Sequence, residues 1–177
     1  MTAMDTELSV ELRGLRIQDE SSASAGHREL AEEDFAFLPF FDAGEPWNAY
    51  LARVALLSSG QGLPPGFVPW SDLYAVVDGA VVGQVSVRHE LTESLARVGG
   101  HIGYSVRPAY RRRGYATSLL RAGLGIARDL GIEQALVTCA DDNVGSAGVI
   151  ERCGGVLEDV VDVPGHASRR RYWVPTN

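Results

Sequence analysis

GHIGYSVRPAYRRRGYATSLL, residues 100–120, is the stretch of this sequence that says most about the fold. Its first seven residues form a largely apolar segment that ends at Val106 and predicts a strand. Apolar residues then recur at helical spacing and predict a helix over residues 115–130, which Gly131 ends. Residues 111–116, with the sequence Arg-Arg-Arg-Gly-Tyr-Ala, connect this strand to this helix.

The connection at residues 111–116 has the features of an anion site. A loop that opens a helix gathers unpaired backbone N–H groups at the positive end of the helix dipole. Gly114 lets an anion approach closely because it has no Cβ, and Ala116 keeps the next turn narrow. Further positive charge comes from three successive arginines, Arg111, Arg112 and Arg113. These features favour a phosphate or pyrophosphate ligand over a merely solvated arginine-rich loop.

Outward from this stretch, strands and helices are predicted along the whole chain. The strands fall at residues 8–17, 73–77, 80–88, 100–106, 133–139, 156–163 and 169–174. The helices fall at 24–38, 47–57, 115–130 and 144–152, with a short helical turn within 90–97. Asp78-Gly79 predicts a hairpin turn, and residues 58–69 predict a loop rich in Pro and Gly. Because helices separate only some of the strands, we expect a mixed α/β (α+β) sheet in a single domain over residues 1–177.

Composition excludes several classes of function. The chain has 177 residues, 16 basic and 23 acidic, and a net charge of −7, so we expect neither nucleic acid nor an anionic membrane surface as a partner. All basic residues are Arg, which excludes a catalytic lysine. The two cysteines and four scattered histidines lack the spacing of metal ligands, so we expect no metal. With no apolar span and no secretory signal, we expect a cytoplasmic protein with reduced thiols.

Residues 100–120 resemble the acetyl-CoA-binding core of the GNAT superfamily of N-acetyltransferases. That core carries Gln/Arg-x-x-Gly-x-Gly/Ala after a strand, matched here by Arg111, Gly114 and Ala116. A second region, Asn143-Val144-Gly145-Ser146 followed by Ile-Glu-Arg-Cys-Gly-Gly at 150–155, resembles the family's Asn-x-x-Ser/Ala and Tyr-Glu-Lys-x-Gly-Phe. The resemblance covers residues 10–174. Segments at 88–89, 100–104, 154–155 and 171–173 further resemble a bacterial branch of predicted acetyltransferases.

The resemblance implies a mostly antiparallel sheet with flanking helices and a V-shaped opening between two splayed strands. Pantetheine enters the V and bonds to the strand backbone, with Val106 as its main donor. The thioester carbonyl points at a backbone N–H near Tyr104 or Ser105, which forms an oxyanion hole. The implied cofactor-binding residues are Val106, Arg111, Arg112, Arg113, Gly114, Tyr115, Ala116, Asn143 and Ser146. For Asn143, a plain helix cap is an equal alternative.

The sequence departs from the family at the catalytic groups. The family's frequent general acid, a Tyr seven residues after the Asn, is Ile150 here, and Tyr104 or Tyr172 could substitute for it. Many relatives carry Glu where this chain has His101. An imidazole has a pKa suited to accepting the amine proton, so His101 is the predicted general base, with a packed strand histidine as the alternative. His89 is a weaker candidate.

These observations predict an acetyl-CoA-dependent N-acetyltransferase that acts on a small amine or a protein N-terminus. The acceptor site falls where relatives build it, around residues 24–69. A non-catalytic acyl-CoA-binding or sensor module is the alternative, favoured by Ile150 and by the missing strand Glu. Residues 166–172 could support a homodimer or could form a simple hairpin arm.

Overall fold

Seven strands form one mixed sheet with helices on both faces. The computed structural model describes residues 10–177. Its strands are β1 Glu11–Arg13, β2 Trp70–Val77, β3 Ala80–Arg88, β4 Ile102–Val106, β5 Gln134–Ala140, β6 Val156–Val161 and β7 Arg169–Pro175. Its helices are α1 Glu20–Ala31, α2 Trp47–Ser58, α3 Glu93–Arg97, α4 Tyr115–Asp129 and α5 Val144–Arg152. The predicted α/β (α+β) class is confirmed.

The strand order is β1-β2-β3-β4-β5-β7-β6, and every neighbouring pair is antiparallel except β4 and β5. The parallel pair β4–β5 is joined at a single register position, Ile102 opposite Val137. By contrast, β3 and β4 pair over five positions. Beyond Ile102 the two central strands therefore diverge, and the predicted V-shaped opening lies between them.

Two apolar clusters cover the two faces of the sheet. On one face α4 and α5 pack against the central strands, with Leu119, Ile102 and Ile150 fully buried. Gly123 of α4 lies so close to β3 that a Cβ would sit 2.9 Å from a methyl group of Val85. On the other face, residues of α1, α2 and the segment between them surround Phe37 and Tyr50. The sheet thus lies between two apolar clusters. The opening between β4 and β5 leads from one face of the sheet to the other.

The boundaries of the elements follow the sequence prediction closely from β2 onward. The Asp78-Gly79 turn has positive φ at both residues, 49° and 78°, as a type I′ hairpin turn requires. The largest error is α1, which was predicted over 24–38 but ends at Ala31. There Asp34 adopts a left-handed φ of 57°, and the Phe35 N–H donates to the Leu30 carbonyl at 3.0 Å. This turn closes the helix ahead of Pro39 because Phe37 and Leu38 are buried in the second cluster.

The first strand is also shorter than predicted. Of the predicted strand at 8–17, the structure forms only Glu11–Arg13, and residues 8 and 9 lie outside the described part of the chain.

Candidate functional site

The backbone of β4 presents hydrogen-bonding groups to the opening. At the two ends of the β3–β4 pairing, the Arg88 N–H donates to the His101 carbonyl and the Arg107 N–H to the Val82 carbonyl. Since polar groups of an antiparallel strand alternate in direction, the N–H groups of Gly103 and Ser105 point at β3. Those of Tyr104 and Val106 point the other way, into the region where β5 has splayed apart. The opening therefore carries two backbone donors.

The loop before α4 offers a second group of donors. Arg112 and Gly114 both adopt left-handed φ angles, 62° and 84°. Across residues 10–177, no backbone carbonyl accepts from the N–H groups of residues 112–117, and the first helical bond is from Ser118 to Gly114. An ideal Cβ on Gly114 would meet nothing within 4 Å, so open space lies beside these donors. This is the geometry of a backbone nest for an anion.

The three arginines of the loop differ in their contacts. The Arg111 guanidinium donates to the Val106 carbonyl at 2.9 Å and pairs with Glu33 at 2.6 Å, so it ties the end of β4 to the segment after α1. Arg113 donates to the Ala109 carbonyl. Arg112 and Arg113 are exposed, and their charge adds to the positive potential around the loop.

Tyr115 and Ala116 face inward. The Tyr115 side chain is buried in the apolar cluster under α4, and Ala116 packs against that cluster. Only their backbone N–H groups are therefore available to a ligand at the loop.

Tyr104 connects β4 to α5 at the mouth of the opening. Its hydroxyl lies 2.7 Å from Ser146 Oγ and 3.3 Å from the Ser146 carbonyl. Asn143 caps α5 through its side-chain oxygen, which accepts from the Ser146 N–H at 3.0 Å. Burial raises the pKa of Tyr104 to about 12, although the Ser146 hydrogen bond opposes this shift. The phenol is therefore protonated at neutral pH and can donate a hydrogen bond.

His101 closes the narrow end of the V. Its backbone N–H donates to the Leu136 carbonyl at 2.7 Å, and the Leu136 N–H donates to its Nδ1 at 2.9 Å. Desolvation, followed by the charge of Arg88, lowers the pKa of this buried ring. Because Nδ1 accepts the hydrogen bond from the Leu136 N–H, the proton of the neutral ring lies on Nε2. The ring then has no free lone pair to accept a further proton. The structure does not support His101 as the general base, because the ring joins two strands instead.

The other candidates are occupied elsewhere. The Tyr172 hydroxyl donates to Glu151 at 3.0 Å, which leaves Tyr104 as the phenol at the opening. Ile150 is fully buried in the core. His89 Nε2 lies 2.9 Å from the Ser71 hydroxyl at the end of β3. Of the two predicted oxyanion donors, the Ser105 N–H points at β3 and the Tyr104 N–H points at the opening.

A polar group on the face opposite α4 was not among the predicted site residues. Asp72 on β2 accepts from the Trp70 indole N–H at 2.6 Å and from the Gln84 side-chain amide at 3.1 Å. Desolvation raises the pKa of Asp72, although its hydrogen bonds and Arg88 oppose the shift. The available signal was the series Gln84, Ser86 and Arg88, polar residues at alternate positions of an otherwise apolar strand.

Within residues 10–177, no three His, Cys, Asp or Glu side chains are grouped closely enough to hold a metal ion. In the same part of the chain, no helix is long and apolar enough to cross a bilayer.

A match to a known protein family shows which family the chain belongs to. The model of the Acetyltransferase (GNAT) domain matches residues 10–156, most of the chain. The chain belongs to the GNAT acetyltransferase family. Membership confirms the predicted enzyme class, an acyltransferase that uses acetyl-CoA. No curated protein matches the chain by sequence.

Solved structures of other acetyltransferases share the fold of this GNAT chain. One is yncA, a putative acetyltransferase from Salmonella typhimurium with its cofactor acetyl-CoA, at 15% identity and a TM-score of 0.62, covering 95% of this chain and 94% of that one. The ribosomal-protein-S5-alanine acetyltransferase from Vibrio fischeri has 13% identity, a TM-score of 0.66, and coverage of 95% and 93%. The phosphinothricin acetyltransferase from Sinorhizobium meliloti, in complex with AcCoA, has 16% identity, a TM-score of 0.63, and coverage of 94% and 88%.

Proposed function

We propose that this protein transfers the acetyl group of acetyl-CoA to a primary amine, with both substrates bound at once. The observation that carries the proposal is the divergence of β4 and β5 directly ahead of a loop of unpaired backbone N–H groups. A strand gap with outward N–H groups fits an extended amide chain such as pantetheine. A nest at a helix N-terminus fits pyrophosphate.

In this proposal the cofactor lies along the two sets of donors. The pyrophosphate takes the N–H groups of residues 112–117, and Gly114 leaves room for it. The pantetheine amides pair with Val106 as an added strand. Arg111 holds the Val106 carbonyl and so keeps the end of β4 in position. Asn143 and Ser146 line the far side of the opening from the start of α5.

The chemical step needs three functions besides positioning. The amine nitrogen attacks the thioester carbon and forms the C–N bond, while the carbonyl oxygen gains charge that the Tyr104 N–H stabilises. The C–S bond then breaks, and the Tyr104 hydroxyl donates a hydrogen bond to the leaving thiolate. A thiol of pKa about 8.5 leaves readily, so this hydrogen bond does not need to become a full proton transfer. The amine must also lose a proton, because alkylamines are mostly protonated at neutral pH.

The acceptor is proposed as a small amine or a protein N-terminus. The Vibrio fischeri protein of the same fold is named for an alanine of a ribosomal protein, and the Sinorhizobium meliloti protein for phosphinothricin. We place the reaction in the cytoplasm on the sequence grounds given above. A homodimer through the last strands is consistent with the outer strand β6, on which Val156, Leu157 and Val160 are exposed.

The alternative offered by the sequence alone was a module that binds acyl-CoA without turnover, and it rested on the apolar Ile150 at the family's tyrosine position. Two measurements separate it from the enzyme. Calorimetry with acetyl-CoA, free CoA and ATP gives the ligand, and thiol release from acetyl-CoA across a panel of primary amines and peptides gives turnover. We expect micromolar binding of acetyl-CoA and amine-dependent thiol release. Binding with no release under any amine would favour the sensor, and no binding of acetyl-CoA would overturn both.

A further inference from the structure

A polar floor lies on the face of the sheet opposite α4, beside the opening. Strand pairing aligns Asp72 of β2 with Ser86 of β3, and Ser86 with Gly103 of β4. The neighbouring row on the same face aligns Gln84 with Ser105. Side chains at alternate positions share a face, so Asp72, Gln84 and Ser105 project from one surface. This surface is the side of β4 from which an acceptor can reach a thioester held in the V.

Two oxygens of this floor are buried without a partner. Gln84 is 3% exposed, and its Nε2 donates to Asp72 Oδ1, yet its Oε1 has no hydrogen-bond partner among residues 10–177. The Ser105 hydroxyl, directly across the β3–β4 pairing, is likewise buried without a partner in the described part of the chain. A buried polar atom left unpaired is costly, and these two belong to residues paired across β3 and β4, so the floor has unused capacity to accept hydrogen bonds.

We propose that Asp72, Gln84 and Ser105 bind the primary ammonium group of the acceptor. The inference rests on the proposed acetyl transfer and names the chemistry of its second substrate. A primary ammonium has three N–H donors, and this floor supplies three oxygen acceptors: the Asp72 carboxylate, Gln84 Oε1 and Ser105 Oγ. An N-methylated amine has one donor fewer and an alcohol has only one, so both fit less well.

Asp72 is also the group in this floor that can take the acceptor's proton. The ionisable groups around it are Arg88, Tyr50 and Tyr74. Both phenols have raised pKa values because they are buried, so they stay neutral. Arg88 donates to the Gly99 and Gly100 carbonyls, and its positive charge opposes the rise in the pKa of Asp72. Burial raises the pKa of Asp72, which makes the carboxylate a better base than a solvated one.

The proton balance of the step is then complete. The ammonium gives one proton to an Asp72 carboxylate oxygen, and the freed nitrogen lone pair attacks the thioester carbon. The C–S bond breaks, the second proton of the attacking nitrogen passes to the CoA thiolate, and CoA leaves as the thiol beside the Tyr104 hydroxyl.

The test uses methylammonium chloride, the smallest primary ammonium, against tetramethylammonium chloride at equal ionic strength. We expect saturable NMR shifts of the Gln84 side-chain amide and the Ser105 backbone amide with methylammonium alone, both in the free protein and in the protein loaded with acetyl-CoA. The shifts should be lost in Asp72→Asn and weakened in Ser105→Ala. They should persist in Asp129→Asn, a matched control on the exposed end of α4. The same shifts in Asp72→Asn, or none in wild type, would overturn the inference.

Turnover gives the second readout. With alaninamide as acceptor, Asp72→Asn should lower kcat/KM by about 100-fold, as expected for loss of a general base, and leave the Kd for acetyl-CoA within about twofold. Its kcat/KM should keep rising with pH up to the pKa of the amine, because the amine must then arrive deprotonated. Wild-type kinetics in Asp72→Asn would refute the site while leaving acetyl transfer intact. A wild-type protein that binds methylammonium but not acetyl-CoA would refute the proposed function and leave the ammonium site standing.

Discussion

Gly114 allows the proposed pyrophosphate site to be tested with an internal control. Gly114 opens α4 at a φ of 84° and Gly131 follows the same helix at a φ of 79°, and an ideal Cβ at either position meets nothing within 4 Å. The substitutions Gly114→Ala and Gly131→Ala therefore impose the same backbone strain and no steric clash. They differ in one respect, which is that only Gly114 lies beside the unpaired N–H groups of residues 112–117.

The magnitudes follow from this difference. A left-handed Ala costs about 1–2 kcal/mol, so both variants should lose similar stability, roughly 2–4 °C in Tm for each kcal/mol in a chain of this size. At Gly114 the new methyl group also occupies the space through which the phosphate approaches. Loss of one hydrogen bond to a charged group costs about 1.5–3 kcal/mol, which is roughly 10- to 150-fold in Kd.

The assay is calorimetric titration of acetyl-CoA into both variants, with thermal unfolding as the measure of strain. We expect weak binding by Gly114→Ala and near wild-type binding by Gly131→Ala at matched loss of Tm. Equal affinities in the two variants would refute the assignment of the pyrophosphate to this loop.

Three further predictions concern the thiolate donor, a buried ion pair and the packing of α4. Tyr104→Phe should lower kcat by about 10- to 100-fold with little change in the Kd for acetyl-CoA. Tyr172→Phe, whose hydroxyl bonds to Glu151 instead, should keep its kcat, and equal kcat losses in the two variants would count against Tyr104. Asp19→Asn should lose about 3 kcal/mol at pH 7 in denaturant unfolding, because among residues 10–177 it leaves the partly buried Arg13 with only the exposed Glu11 as a carboxylate partner. Burial opposes ionisation of Asp19, but hydrogen bonds from Arg13 and the Arg16 N–H outweigh it and lower the pKa of Asp19. The ion pair therefore stabilises the fold fully above the unfolded-state pKa of about 3.9, and this stabilisation is lost as the pH falls through the lower pKa of the folded state. The stability gap between wild type and Asp19→Asn should therefore narrow below about pH 4, and a constant gap would contradict the pairing. Gly123→Ala should destabilise the fold by about 1–3 kcal/mol because its Cβ would contact Val85 at 2.9 Å. Gly125→Ala, on the open side of α4, should stabilise the fold by about 0.5–1 kcal/mol. If both substitutions stabilised the fold, α4 would not pack this closely against β3.

Local signals in the sequence account for most of the fold. The Asp-Gly hairpin, the apolar periodicity of α4 and the Asn143 cap of α5 each depend on neighbouring residues, and each lies within a residue or so of its predicted position. The end of α1 does not depend on local signals alone. Residues 32–38 continue a helical pattern, but burial of Phe37 and Leu38 against the sheet requires a turn at Asp34.

The candidate site likewise has parts that local sequence predicts and parts that depend on distant residues. The loop at residues 111–116 was found because its glycine, its arginines and its place before a helix are all adjacent in sequence. The role of His101 depends on Leu136, which is 35 residues away along the chain, and no local pattern indicates that Nδ1 is already taken. The floor of Asp72, Gln84 and Ser105 comes from three strands, and only the pairing register brings these residues to one face.

The central claim is that acetyl-CoA binds as an added strand along β4, and amide hydrogen exchange resolved by NMR tests it directly. Without cofactor, the Gly103 and Ser105 N–H groups should be protected by β3, and those of Tyr104 and Val106 should exchange quickly. Saturating acetyl-CoA should slow exchange at Tyr104, Val106 and residues 112–117, and leave Gly103 and Ser105 nearly unchanged. Binding of acetyl-CoA without new protection at Val106 would contradict this account.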